Sequence, residues 1–216
     1  MKTLKRMHMM VLLIGILPFC VSSGQEIQKR KSVIIIDPGH GGKDSGAIGI
    51  NNYKEKELVL KVALKMLEWN KTVLNNKYDI YLTRYTDTLI SLSHRTKLAR
   101  VLRPDIFISL HGNDAKNPKA KGIEVFVHSS VNKKGKNGKV SIKMATYIIK
   151  QLNEKLGYKS RGVKKANFQV LRQTINSCPS LLVELGFLSN KDEANYLKKE
   201  ENSNAVALAI LMSINI

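Results

Sequence analysis

Three polar side chains follow three apolar runs of the sequence, and each is of a type that can bind a metal ion. His40 follows the run 33–36, His111 follows 105–110, and Glu184 follows 180–183. If these runs are parallel strands, their carboxyl ends meet at one edge of a sheet and the three side chains can converge there. An unpaired buried acid or histidine costs free energy, so three at one edge favour a site over three separate core groups.

Neutral imidazole and carboxylate are ligands that zinc prefers, and a catalytic zinc takes three protein ligands and one water. His40 and His111 supply two ligands. Glu55 is a candidate for the third, because a glycine-rich loop separates it from His40 and lets it fold back beside the histidine. Its spacing is not that of a short zinc motif, and a carboxylate at a helix start is also favoured by the helix dipole. Spacing alone favours that simpler role and leaves the third ligand open.

The segment around His40 predicts a buried strand that ends in a tight loop. Residues 33–36 are apolar and β-branched, Pro38 fixes its own φ, and the glycines at 39, 41 and 42 allow sharp turns. A loop of this composition can also cradle a phosphate or form a simple turn. The segment by itself therefore does not decide which chemistry His40 serves.

The rest of the chain alternates between strand-like and helix-like patterns. The predicted strands are 33–37, 78–83, 105–110, 123–128, 168–171 and 180–184. The predicted helices are 55–74, 92–102 with Ser91 as N-cap, 140–156, 192–199 and 204–214, and residues 132–139 are predicted as a surface loop. This alternation predicts a single α/β domain with a twisted, mostly parallel sheet flanked by helices on both faces.

The N-terminus is typical of a secretory signal peptide, which we place at residues 1–24. A basic start precedes the apolar run 9–19, and small residues at 21–24 suit cleavage. The apolar run is too short to span a bilayer, so no transmembrane segment is expected. Lipid anchoring through Cys20 is the alternative, although Phe19 before it fits a lipidation site poorly. We expect export to the periplasm or cell envelope, a short tail at 25–31, and one domain at 32–216.

The chain is strongly basic, with 36 lysines and arginines against 17 acidic residues and a formal charge of +19. Such a charge usually suggests nucleic acid. An exported protein rarely meets nucleic acid, so we expect no nucleic-acid partner. Anionic polymers of the cell envelope are the more natural partners. A solvated, solubility-related role for the charge is the alternative. We expect the protein to be a monomer.

Seven blocks of the sequence stand in the order found in one enzyme family. They are DPGHGG at 37–42, EKEL at 55–58, SLHGN at 109–113, GIEVF at 122–126, RGVK at 161–164, VLR at 170–172 and LVELGFLSN at 182–190. In these blocks the chain resembles the zinc-dependent N-acetylmuramoyl-L-alanine amidases, the type 3 cell-wall amidases. The resemblance extends over residues 32–214.

The resemblance implies a specific site and reaction. It implies that His40, Glu55 and His111 bind one zinc ion and that Glu184 is the catalytic glutamate. It also implies that residues 32–216 form an amidase catalytic domain whose substrate is peptidoglycan. The bond cleaved would be the amide between N-acetylmuramic acid and the L-alanine of the stem peptide.

Three further residues are candidates for binding the substrate, each with a structural alternative. Asn113 could contact the glycan or hold its loop, and Glu124 could orient a ligand or serve the fold. Arg172 could pair with a stem-peptide carboxylate, since a guanidinium matches that geometry, or could be an ordinary surface cation. Two rival functions share some of these features: a zinc peptidase that cuts within the stem peptide, and a basic module that binds the wall without hydrolysing it.

Overall fold

The computed structural model describes residues 30–214, which contain one six-stranded sheet and six α-helices. The strands are β1 (Ser32–Pro38), β2 (Tyr78–Leu82), β3 (Ile106–Asn113), β4 (Ile123–His128), β5 (Ser160–Ala166) and β6 (Ser180–Phe187). The helices are α1 (Glu55–Thr72), α2 (Leu92–Leu102), α3 (Gly135–Leu156), α4 (Gln169–Thr174), α5 (Lys191–Lys198) and α6 (Glu200–Ser213). The predicted signal peptide at 1–24 lies outside the described residues.

The strand order is β2-β1-β3-β6-β4-β5, and the sheet is parallel except where β4 meets β6. The prediction of an α/β domain with a mostly parallel sheet is confirmed. The antiparallel step has a consequence for the site. The starts of β4 and β5 lie at the same sheet edge as the ends of β1, β3 and β6.

The two faces of the sheet are packed differently. Side chains alternate between the faces along each strand. Ile34, Ile36 and their equivalents pack into a large apolar core with α1, α3 and α6. Ile35, Phe107 and Leu182 face the other way, into a smaller cluster covered by α2 and α4. This second face carries the polar residues at the sheet edge.

Two predicted elements were wrong. Residues 168–171 were expected to form a strand, but Gln169–Thr174 is helix α4, where the Thr174 hydroxyl donates to the Val170 carbonyl at 2.6 Å. An apolar run this short fits either element, and packing of Val170 and Leu171 against the smaller cluster decides for the helix. Residues 132–139 were expected to be a surface loop, but α3 begins at Gly135 after a 3₁₀ turn at Val131–Lys133.

Ser91 caps α2 as predicted, since its side chain accepts a hydrogen bond from the His94 amide. The sequence patterns did not predict strand β5. Strand β5 is an exposed edge strand with the sequence SRGVKKA, which lacks an apolar stripe. Its pairing with β4 comes from backbone hydrogen bonds and not from side-chain burial. Within residues 30–214, no helix is both long and apolar enough to cross a membrane.

Candidate active site

His40, Glu55 and His111 meet at the sheet edge and could together hold a metal ion. One ligand atom from each lies within 4.8 Å of the other two. Glu55 Oε1 is 3.0 Å from His40 Nε2 and 2.8 Å from His111 Nδ1. Glu55 is the first residue of α1, and His111 lies near the end of β3. The loop between β1 and α1 thus folds Glu55 back beside His40, the arrangement that spacing alone left open.

The backbone around His40 is constrained by two buried arginines. His40 itself has a φ of +56°, which is unusual for a residue that is not glycine. Arg84 donates to the Pro38 and Gly39 carbonyls at 3.0 and 2.8 Å. Arg95 donates to the Pro38 and His40 carbonyls at 2.6 and 2.5 Å. Three successive carbonyls are therefore held by guanidinium groups, which fix the direction of the His40 side chain.

The charge of Arg95 is balanced by a buried acid of β1. Arg95 Nη1 lies 2.7 Å from Asp37 Oδ1, and both side chains are almost fully buried. The Asp37 carboxylate also accepts from the hydroxyls of Thr83 at 2.6 Å and Ser109 at 2.8 Å. Within residues 30–214 the side chains that bond this carboxylate are internal, so Asp37 anchors the arginine that holds the loop.

Two glycines allow the ligands to approach each other. A Cβ at Gly39 would lie 2.4 Å from His111 Cε1, and a Cβ at Gly46 would lie 2.4 Å from Glu55 Oε2. Both distances are shorter than any ordinary carbon contact, so a side chain at either position would push a ligand away. Gly39, predicted to permit a sharp turn, thus also makes room for the His111 imidazole, and Gly46 makes room for the Glu55 carboxylate.

The donor set and its surroundings fit a zinc ion. Zinc sites of two histidines and one carboxylate are typical of hydrolytic enzymes, and the ligating histidine usually bonds a carboxylate through its other nitrogen. Here His40 Nδ1 is 2.9 Å from Asp44 Oδ2. Glu55 Oε2 accepts from the Ala47 amide at 2.8 Å, and Oε1 accepts from the Gly112 amide at 3.0 Å. The carboxylate is thus oriented by backbone donors.

The same contacts shift the ionisation of the ligands. Burial favours a protonated Glu55, but hydrogen bonds and charges from His111 and His40 outweigh it and hold the pKa of Glu55 far below its usual range. Burial favours a neutral His40, but Glu55 and Asp44 outweigh it and raise the pKa of His40. A divalent cation would take the place of the protons that the site attracts in this state.

Glu184 lies on β6 directly beside the metal-ligand cluster. It pairs in register with His111 of β3 on one side and with Glu124 of β4 on the other. Its Oε2 atom is buried and has no hydrogen-bond partner among the described residues. Burial raises the pKa of Glu184 to about 7; the His111 charge opposes this rise, while Glu55 and Glu124 add to it. A carboxylate poised in this way is suited to accept and release a proton near neutral pH.

Glu124 and Asn113 extend the site away from the candidate metal ligands. Asn113 Nδ2 donates to Glu124 Oε1 at 2.7 Å. Glu124 Oε2 accepts from Arg161 Nε at 2.7 Å and also from Lys164 Nζ. Burial favours protonation of Glu124, but these cations and Asn113 outweigh it and lower the pKa of the carboxyl. The sequence predicted Asn113 and Glu124 as candidates but gave no signal that they bond to each other or that Glu124 bonds to the cations of β5.

Arg172 is not brought together with the other candidates. It lies exposed on α4, where its Nη1 donates to the Asn167 carbonyl at 2.8 Å. A groove of about 380 Å³ opens beside His40 and His111 and is lined on its outer side by Leu89, Leu92 and Phe168. These three apolar side chains are between 41 and 47% exposed, which leaves an apolar surface next to the candidate metal ligands.

Sequence reasoning missed three residues that hold the His40 loop and side chain by hydrogen bonds, namely Arg84, Arg95 and Asp44. Arg84 and Arg95 were not singled out, because an arginine among polar residues usually indicates a solvated helix face or strand end. Arg95 precedes Leu98 and Ala99 by three and four residues on α2, and this position on the inner face of an amphipathic helix was a usable signal. Asp44 carried no signal beyond its proximity to His40 in the sequence.

The fold and the site together define a class. An α/β domain that gathers two histidines and a glutamate at one sheet edge, beside an unpartnered carboxylate, holds a candidate metal centre of the kind used for hydrolysis. The family model described as N-acetylmuramoyl-L-alanine amidase matches residues 34–215. The chain belongs to this family.

Curated relatives and solved structures agree with this assignment. The chain is 38% identical to the endolysin of Bacillus phage SPP1 over 177 residues, which cover 81% of this chain and 62% of the endolysin. It is 31% identical to a putative N-acetylmuramoyl-L-alanine amidase of Buchnera aphidicola, covering 84% of this chain and 94% of that protein. The catalytic domain of the amidase CwlV from Bacillus (Paenibacillus) polymyxa superposes with a TM-score of 0.72 at 36% identity, covering 84% and 95% of the two chains.

Proposed function

We propose that this chain hydrolyses the amide bond between N-acetylmuramic acid and L-alanine in peptidoglycan, using one zinc ion bound by His40, Glu55 and His111. The observation that supports this most directly is the placement of Glu184. Its buried, unpartnered oxygen lies on the strand next to His111, where a proton acceptor for metal-assisted hydrolysis is needed. The family and the relatives named above supply the substrate class.

The chemistry divides between the ion and the chain. A bound zinc supplies a water of lowered pKa and polarises the scissile carbonyl. Glu184 would accept the proton of the attacking water and deliver it to the amine of L-alanine as the bond breaks. Burial raises the pKa of the Glu184 carboxyl above that of an ordinary glutamate, which helps it hold the proton between the two halves of this task.

The remaining candidates bind or orient the substrate in this proposal. The apolar groove beside His40 and His111 receives part of the glycopeptide. Asn113 and Glu124 shape the opposite side of the site through their hydrogen bond. Arg172 uses only Nη1 in the contacts among the described residues, so its other donors are free to meet a carboxylate at the rim.

The proposal extends to the cell envelope. In this proposal residues 1–24 act as a signal peptide, residues 25–31 as a short tail and 32–216 as the catalytic domain, so that the enzyme works in the periplasm or at the cell envelope. The proposal also takes the enzyme to be a monomer. Cell-wall amidases act where peptidoglycan is, and the net positive charge of the chain attracts it to anionic envelope polymers.

Digestion of purified peptidoglycan tests the proposal. The zinc-loaded protein should release stem peptides that begin with a free L-alanine amine and leave muramic acid with a free lactyl carboxylate, as identified by mass spectrometry. Protein stripped with a chelator should release none until zinc is restored. Cleavage within the stem would assign a peptidase instead, and binding without any product would reduce the chain to a wall-binding module.

A further inference from the structure

The edge strand β5 contains an irregularity that places two cations on one face of the sheet. Arg161 and Lys164 are three residues apart, so in a regular strand they would point to opposite faces. In the pairing with β4, Ile123 is opposite Ser160, but Val125 is opposite Val163. Two steps along β4 therefore match three along β5, and the extra residue re-aims the chain, as bulges beside active sites commonly do.

A glycine sits at this irregularity. Gly162 has a φ of +83°, and a Cβ there would meet nothing within 4 Å. The glycine is therefore required by the backbone conformation and not by close packing. Its effect is that both Arg161 and Lys164 reach the same carboxylate oxygen, Oε2 of Glu124.

The two cations lie on the face of the sheet that carries Glu184. Lys164 is opposite Phe126, and Phe126 is opposite Leu182. Glu184 follows Leu182 by two residues, so Lys164 and Glu184 share one face of the sheet. Arg161 reaches the same face through its bond to Glu124. Glu124 is the direct cross-strand neighbour of Glu184. Cβ atoms of such neighbours are about 4.5–5.5 Å apart. The cations thus lie about one side chain beyond the proposed proton acceptor.

The cluster keeps unused positive charge. One carboxylate faces two cations, and the Arg161 and Lys164 side chains are 32 and 38% exposed. Among the described residues, Arg161 donates only through Nε, and Lys164 only to Glu124. Both terminal amino groups of the guanidinium and two N–H groups of the lysine remain available to a ligand. Glu124 is itself nearly buried and holds the two heads in place.

We propose that Arg161 and Lys164 form a binding site for a carboxylate of the stem peptide, held by Glu124 through the bulge in β5. This rests on the proposed function and specifies its substrate. The N-acetylated sugars of the glycan carry no charge once the lactyl carboxyl is in the amide, so the anions of the substrate lie on the peptide. An extended peptide advances about 3.3–3.6 Å per residue. The residue after L-alanine can therefore lie about one side-chain length from the cleaved bond, which is how far the two cations lie beyond Glu184.

That residue is D-glutamate, whose side-chain carboxyl is joined to the next residue of the stem. Its α-carboxyl occurs either free or as an amide. The site predicts that the enzyme prefers the free acid. A charge-assisted hydrogen bond of this kind, partly exposed to water, corresponds to about a tenfold preference. Loss of either cation should remove most of it.

Peptide binding tests the site without requiring hydrolysis. Isothermal titration or NMR would measure the affinity of the zinc-loaded protein for L-alanyl-γ-D-glutamyl-L-lysine and for its α-amide, L-alanyl-D-isoglutaminyl-L-lysine, in both of which the γ-carboxyl of D-glutamate is in an amide bond. The wild type should bind the acid about tenfold more tightly, and Lys164→Gln and Arg161→Gln should bind the two peptides alike. Lys165→Gln is the matched control, since Lys165 lies exposed on the same strand, next in sequence to Lys164 and so on the opposite side. It should keep the preference.

Kinetics with whole muropeptides adds a second measurement. Lys164→Gln should raise KM for substrates with free D-glutamate while kcat changes little, and should leave amidated substrates unaffected. Equal binding of acid and amide by the wild type, undetectable binding of the acid, or a preference that survives in both Lys164→Gln and Arg161→Gln would overturn the site. Failure of the wild type to cleave peptidoglycan would overturn the proposed function instead, because the peptide titration is read independently.

Discussion

The two halves of the active-site edge are held in different ways. On the β1–β3 side, His40, Glu55 and His111 are surrounded by internal donors, glycines and two buried arginines. On the β6–β4 side, Glu184 has a buried oxygen without a hydrogen-bond partner among residues 30–214, and the cations beside Glu124 are about one-third exposed. The first half has its polar groups satisfied by the protein, and the second half leaves some of its polar groups unsatisfied.

This difference matches the two tasks. Metal ligands must keep their geometry through every turnover, so fixing them in advance lowers the cost of binding the ion. A proton acceptor must change its charge during the reaction, and a carboxylate saturated with hydrogen bonds would titrate too low to do so. The comparison therefore predicts that damage to the two halves will have separable consequences.

The largest effects are expected from removing one residue in each half. His40→Ala and Glu184→Gln should each lower amide hydrolysis by at least about 100-fold, because one loses the ion and the other loses the proton acceptor. They should differ in metal content. After dialysis, His40→Ala should contain little zinc, and Glu184→Gln should contain about one ion per chain by elemental analysis. Full activity in folded Glu184→Gln, or zinc retained by His40→Ala, would contradict the division.

A smaller effect, on the stability of the whole domain, is expected from replacing Arg95, which holds the loop that carries His40. Arg95→Met leaves the Asp37 carboxylate buried without its ion pair and removes the guanidinium donor of the His40 carbonyl, while the Pro38 carbonyl keeps its hydrogen bond from Arg84. Loss of one partner of a buried pair typically costs about 3–5 kcal/mol, and the remaining bonds from Thr83 and Ser109 favour the lower end. Urea unfolding of the metal-free protein would measure this, and zinc affinity should fall with it.

Arg100→Met is the control for that experiment. Arg100 lies on the same helix, is exposed, and makes no hydrogen bond or ion pair among those described for residues 30–214. Its replacement should change the free energy of unfolding by no more than about 0.5 kcal/mol. An equal loss in both variants would show that α2 is sensitive to any change of charge and that the arginine clamp is not special.

The smallest effect is expected in the pH dependence of hydrolysis, which depends on the β6–β4 side of the site. Glu184 must be a carboxylate to accept a proton, so kcat/KM should fall as pH falls through its pKa. Burial raises the pKa of Glu184 to about 7, and a bound dication lowers it from that value. Glu124→Gln removes a neighbouring negative charge, which should lower the midpoint of the profile by less than about one pH unit. A midpoint that moves to higher pH would contradict the coupling of the two glutamates.

Much of the fold could be predicted because the chain repeats simple patterns. The strands at 33–37, 105–110 and 180–184 are nearly continuous apolar runs, as buried parallel strands must be, and the structure contains all three. Strand β5 could not be predicted in this way, since an exposed edge strand needs no apolar stripe. The strand expected at 168–171 was wrong because four residues do not distinguish a strand from a helical turn.

The sequence by itself determined which residue types stand at the ends of the buried strands, because burial of polar groups is costly and their positions in the pattern are conspicuous. Only the tertiary structure decided that Glu55 lies beside His40 and His111, that two arginines clamp the loop, and that Arg161 and Lys164 share one carboxylate. These contacts join residues far apart in the chain. They depend on loop conformation, one antiparallel strand pair and a bulge, none of which leaves a periodic trace in the sequence.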